Sequence, residues 1–128
     1  MRVLVIGNGK SVFVRDFVEQ MADKMPLSAI DLLTTDDTLI KARVNIIKPK
    51  NRCKIPKLRG LINLLQYRKL LKGKHYDVAH IHFVDILKVL AIKAIRKSCD
   101  KLIVTVWGSD FYRSSVKLAR LQQRVYDA

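Results

Sequence analysis

Short apolar runs alternating with stretches of helical periodicity constrain this chain more than any other feature. Val3 to Ile6 is a continuous apolar run closed by Gly7, as expected of a strand buried on both faces. Further strands are predicted at Ser28–Leu33, Ala42–Ile47, Asp77–Ile81 and Leu102–Val106. Between them, apolar residues recur at helical spacing. Val14, Phe17, Val18, Met21 and Met25 mark a helix from Ser11, a suitable N-cap, to the stop at Pro26. Leu58, Leu61, Ile62 and Leu65 predict a helix over Leu58–Leu71 whose apolar stripe packs on a sheet, with Gly73 as its C-cap. Val84–Arg96 is apolar nearly all round, which predicts a helix buried against the sheet. A last amphipathic helix is predicted over Ser114–Tyr126.

Strands separated by helices imply βαβ units, right-handed crossovers and a parallel sheet. The expected fold is α/β: a Rossmann-like three-layer sandwich of about five strands in the order 3-2-1-4-5, with helices on both faces. The 128 residues suit a single domain, long enough to bury on the order of two-thirds of its unfolded surface. In that order the carboxyl ends of strands 1, 4 and 5 lie side by side. In open α/β sheets ligands bind at that edge.

Those three ends carry polar turns. Gly7-Asn8-Gly9-Lys10-Ser11 follows strand 1. It is neither a dinucleotide fingerprint, because Val12 holds the third glycine's place, nor a P-loop, because Leu4 holds the first. Two glycines still permit a tight turn into a helix whose first N–H groups favour an anion, with Lys10 as a phosphate contact or a solvated cation. His80 and His82 alternate on strand 4, so both imidazoles share one side. They suit a ligand cleft, a hydrogen-bonded pair above the core, or a metal, although a third ligand at diagnostic spacing is missing. His75 precedes the strand and is expected on the surface. Trp107-Gly108-Ser109-Asp110 closes strand 5, either as a capping turn or as the aromatic rim of a cleft.

Charge is distributed unevenly. The net charge is +14, and no acidic residue occurs between Asp37 and Asp77. Lys54, Lys57, Arg59, Arg68, Lys69 and Lys72 lie in that gap, on or beside the second helix. Such a one-sign field attracts anionic lipid, nucleic acid or phosphorylated substrates. No nucleic-acid motif accompanies it, which makes nucleic acid the weaker partner. Cys53 and Cys99 lack metal spacing, and a reduced cytoplasmic compartment is the default. No apolar run approaches the roughly 20 residues of a membrane span.

In order and spacing, Gly7-Asn8-Gly9, then Asp77-Val78-Ala79-His80-Ile81-His82, then Val106-Trp107-Gly108-Ser109-Asp110 resemble the N-terminal half of glycosyltransferase family 4. The resemblance implies a GT-B enzyme of polysaccharide or glycolipid synthesis, retaining, independent of metal and without a cofactor. It places Gly7 to Gly9 beside the phosphates of a nucleotide-sugar donor. His80, His82 and Trp107 to Asp110 fall on the acceptor side. Where many relatives carry a His that contacts the donor sugar, this chain has Trp107, whose indole cannot act as a base. No catalytic residue is therefore carried over.

The resemblance also implies that a C-terminal domain or second chain holds the donor, so that this chain alone is inactive. The acceptor is expected to be a glycan, lipid-linked, at the inner face of the plasma membrane. Residues 48 to 74 would dock there on anionic lipid. The other reading left open is a non-catalytic Rossmann-like module for nucleic acid or a phosphorylated ligand. A nucleotide-dependent oxidoreductase is disfavoured by Val12.

Overall fold

The computed structural model describes residues 1–108 and 115–128. In chain order the described elements are β1 (Arg2–Ile6), α1 (Val12–Lys24), β2 (Ala29–Leu33), β3 (Asn45–Ile47) and α2 (Pro56–Leu71), followed by β4 (Tyr76–His82), α3 (Ile86–Lys97), β5 (Cys99–Thr105) and α4 (Val116–Tyr126). All strand pairs are parallel, as the alternation implies, and the sheet order is the expected β3-β2-β1-β4-β5. The chain runs outward from β1 to β3, then returns and runs outward again from β4 to β5. The topological switch point is therefore the crevice between the carboxyl ends of β1 and β4.

The period of two along each strand divides the core. Leu4 and Ile6 of β1 join Ala79 and Ile81 of β4 in a cluster with Tyr67 and Leu71 of α2, Val89 and Ile95 of α3, and Val125 of α4. Val3 and Val5 point the other way and pack with Val14 and Val18 of α1. Among the described residues three helices thus cover one face and α1 the other. Each fully buried aliphatic side chain contributes about 1.5–3 kcal/mol to holding the layers together. On the α1 side of the edge strand β5, Ile103, paired in register with His80, is half exposed.

Three local expectations change. β3 is only Asn45–Ile47, and Ala42–Val44 precede it as loop. β5 begins at Cys99 rather than Leu102 and ends at Thr105, so Val106 and Trp107 lie beyond the strand. The larger change is the face of α2. Leu58, Leu61 and Leu65 were expected inside and are 45%, 53% and 55% exposed. The helix buries Tyr67 and Leu71 instead, with Leu64 and Leu70 partly buried beside them. α2 is apolar on two faces, and the one carrying the large tyrosine ring and its leucine neighbours fills the space over the sheet. Likewise α3 buries Val89, Ala91, Ile92 and Ile95 but leaves Ile86 and Leu90 half exposed. Gly73 does take the left-handed conformation after α2, at φ 74°.

Candidate active site at the sheet switch point

The site is built from three strand ends and the first turn of α1. Gly7 leaves β1 in a space that would accept a Cβ only if its neighbours gave way. A Cβ there would lie 3.0 Å from a Val14 methyl and 3.3 Å from the Cβ of His82. The glycine lets α1 and β4 close on one another. Gly9 is similarly constrained: its Cβ would lie 2.9 Å from that of Thr38. Its N–H donates to Thr34 Oγ1 at 2.9 Å, and the same oxygen accepts from Asp36 N–H at 3.1 Å. Thr34 is wholly buried and ties the glycine turn to the loop after β2. Asn8 and Lys10 stay exposed, and Asn8 Oδ1 accepts from Lys10 N–H at 2.8 Å. Ser11 takes the N-cap position of α1 without a side-chain capping bond.

His80 and His82 do share a side, facing α1, with ring centroids 4.3 Å apart. Phe17 of α1 packs against both, edge-on to His80 at 4.8 Å and 4.6 Å from His82. His80 Nε2 is hydrogen-bonded to Thr105 Oγ1 at 2.7 Å. His82 differs. It is 2% exposed, and among the described residues neither ring nitrogen has a hydrogen-bond partner. Burial lowers the pKa of His80 and pushes that of His82 down to about 4, with His80 and the Lys88 ammonium adding to the latter. Both imidazoles are therefore neutral near pH 7, able to donate through one nitrogen and accept through the other.

Aromatic rings border the crevice above them. Trp107 stacks toward His82 at 6.3 Å and lies 4.7 Å from Phe13. Together with Asn8, Ser11, Val14 and Phe83, these two rings line a cavity of about 280 Å³. Phe83 follows β4 directly and is the one described non-glycine residue with positive φ, at 63°. Such a conformation persists only where neighbours hold it. Here Asp85 caps α3 by accepting from Lys88 N–H at 3.0 Å, and its carboxylate pairs with the buried Lys88 ammonium. From the other side Gln122 of α4 donates to the Val84 carbonyl at 2.7 Å.

Of the residues singled out in the sequence, Asn8 and Trp107 line this cavity, and Gly7, His80 and His82 lie beside it at the strand ends, whereas Gly9 and Lys10 line a separate hollow with Arg15, Asp37, Thr38 and Leu39; Gly108 is exposed next to Trp107. Ser109 and Asp110 lie outside the described residues. His75 is on the surface, paired with Asp100 at 3.1 Å. Lys54, Lys57, Arg59, Arg68, Lys69 and Lys72 are all exposed, on or beside α2, and none of them lines the cavity. Thr34, Phe13, Phe83 and Lys88 escaped the sequence reading. Phe83 alone had a signal, since it follows His82 directly. Among the described residues no three His, Cys, Asp or Glu side chains are placed to share a metal ion.

A five-stranded parallel sheet in this order, with helices on both faces, defines a Rossmann-like α/β domain. The sequence matches the model of the glycosyl transferase 4-like family over residues 2–127, and the chain belongs to that family. No curated protein sequence matches it. Among solved structures it is similar to the C-terminal domain of a hydrogenase from Pyrococcus furiosus. The identity is 10% and the TM-score 0.55, over 82% of this chain and 90% of that one. At that identity the likeness concerns the fold alone.

Proposed function

We propose that this domain is the acceptor-side half of a sugar transferase, which passes a sugar from a nucleotide-sugar donor to a lipid-linked glycan acceptor. Family membership supports the transferase chemistry. The observation that carries the acceptor side is the crevice itself: a buried, neutral His82, whose ring nitrogens have no hydrogen-bond partner among the described residues, beneath the rings of Trp107 and Phe13. A sugar presents an apolar C–H face and a rim of hydroxyls. Aromatic rings suit the face, and a neutral imidazole suits a hydroxyl as donor or acceptor. The glycine turn and the first N–H groups of α1 lie beside this crevice, where they suit the phosphates of a donor.

Transfer follows the retaining, metal-independent course of the family resemblance, with the donor held by a C-terminal domain or a second chain. The isolated chain therefore does not turn over, because catalysis requires both reactants in one geometry. The enzyme works at the cytoplasmic face of the membrane. Trp107 is the sole tryptophan, so its emission reports on the crevice. Titration with mono- and oligosaccharides should change that emission saturably, and Phe13→Ala should weaken the response. A flat response to every saccharide refutes the acceptor wall. Sugar transfer by the isolated chain refutes the division of labour.

The net charge of +14 favours a second reading, a non-catalytic module for nucleic acid or a phosphorylated ligand. Salt-dependent nucleic-acid binding combined with silence toward saccharides would select it.

A further inference from the structure

The cations of this protein are sorted by layer. α2 and α3 each contain four Lys or Arg residues and α4 three, and none of the three helices contains Asp or Glu. α1, on the other face of the sheet, carries Asp16, Glu19 and Asp23 against Arg15 and Lys24. One broad face is therefore cationic and the other close to neutral. The cationic face is also apolar in a patterned way. Leu58, Leu61 and Leu65 form an exposed ridge along α2, and the same side of that helix continues into Arg68 and Lys72. On α3 the exposed side reads Ile86, Leu90, Lys93, Lys97. Along both of these stripes exposed aliphatic residues come first and cations last, and Lys57 and Arg59 flank Leu58 in the first turn of α2.

The two helices run in the same direction. Each follows a strand's carboxyl end and returns to a strand's amino end. The aliphatic band therefore lies toward the edge of the sheet that bears the crevice, and the cationic band toward the opposite edge. α4 joins them there, where Arg96 Nε donates to the Ala128 carbonyl at 3.1 Å. At that edge Arg68, Lys93, Lys97 and Arg124 surround an open hollow of about 920 Å³ floored by Val89 and Ile92. Asp127 is its one acidic lining residue.

We propose that the α2–α3–α4 face is a docking surface for an anionic phospholipid bilayer, with the aliphatic band entering the interface beside the crevice and the cationic band resting on lipid phosphates. This deepens the membrane side of the proposed function and does not rest on its sugar chemistry. It also extends the docking surface beyond residues 48 to 74 to two further helices. Half-exposed leucines next to unopposed cations are the composition of an interfacial helix. No helix among the described residues is long and apolar enough to cross a membrane, so the face lies on the bilayer. A second copy docked through the same face would set two cationic arrays against each other, which costs rather than gains. A nucleic acid would neutralise the cations but leave the aliphatic ridge without a partner.

The test is cosedimentation with vesicles of phosphatidylcholine alone and with about 30% phosphatidylglycerol, at about 0.15 M salt. The anionic lipid should raise the partition coefficient at least about tenfold. Leu58→Gln/Leu61→Gln/Leu65→Gln alters only exposed positions and should lower it on the order of 100-fold with an unchanged circular dichroism spectrum. Lys93→Gln/Lys97→Gln should lower it about tenfold. Binding indifferent to phosphatidylglycerol overturns the proposal. So does a leucine variant that sediments like the parent, or binding to nucleic acid without binding to vesicles. The assay contains no sugar and the Trp107 titration contains no lipid, so each reading fails separately.

Discussion

Two glycine-to-alanine substitutions should move stability in opposite directions, and the difference tests how the crevice is closed. At Gly7 the added methyl meets a wall on each side: Val14 methyls at 3.0 and 3.2 Å and the His82 Cβ at 3.3 Å. Neither wall yields easily. Val14 is β-branched in a helix, with one strongly preferred rotamer, and the His82 Cβ is fixed by the strand. Overpacking of this kind costs about 1–3 kcal/mol. At Gly60, inside α2, an added Cβ has nothing within 4 Å. There the only change is helix propensity, and alanine should stabilise by about 0.8–1 kcal/mol. At about 4 °C per kcal/mol for a domain of this size, Gly7→Ala should lower Tm by about 4–12 °C and Gly60→Ala raise it by about 3–4 °C.

The cause is checked by a double-mutant cycle. Val14→Ala removes the nearest methyls, so Gly7→Ala should cost at least about 1 kcal/mol less in that background. Urea melts of the four proteins supply the numbers. A Gly7→Ala variant within about 0.5 kcal/mol of the parent, or an additive cycle, would refute the claim that Gly7 exists to let α1 and β4 meet.

Two further outcomes follow from the neutral imidazoles and the braced turn. Because the folded pKa of His82 is depressed to about 4, its share of stability is complete above the ordinary histidine value of 6.5. It is lost progressively as pH falls from there toward 4, since only the unfolded chain takes up the proton in that window. Unfolding free energies at pH 7 and pH 5 should differ less in His82→Phe than in the parent. Equal differences would show that His82 is not held neutral. Gln122→Leu removes the 2.7 Å hydrogen bond to the Val84 carbonyl and should cost about 0.5–1.5 kcal/mol. It should also shift Trp107 emission by loosening the turn at Phe83, and a melt indistinguishable from the parent's would remove Gln122 from that role.

What could be read from the chain alone is what depends on local order. A run such as Val3–Ile6 ended by Gly7 specifies a buried parallel strand, because both of its faces must be apolar. Alternation with helices and right-handed crossovers then leave few topologies, and the order β3-β2-β1-β4-β5 is one of the common ones. The period of two was enough to place His80 and His82 on one side, and the topology was enough to bring Gly7 and Trp107 to the same edge. Choices between competing surfaces were decided only by tertiary packing. α2 offers the sheet two apolar faces, and periodicity cannot rank them; the volume of Tyr67 and Leu71 over β1 and β4 does, which turns Leu58, Leu61 and Leu65 outward. Nor does local order show that a histidine will be buried with no hydrogen-bond partner among the described residues, that Thr34 will hold a glycine turn 25 residues away, or that α4 will brace the turn at Phe83. Each of those depends on which groups meet across the fold, and long-range contact sets the burial and hydrogen bonding that give the crevice its chemistry.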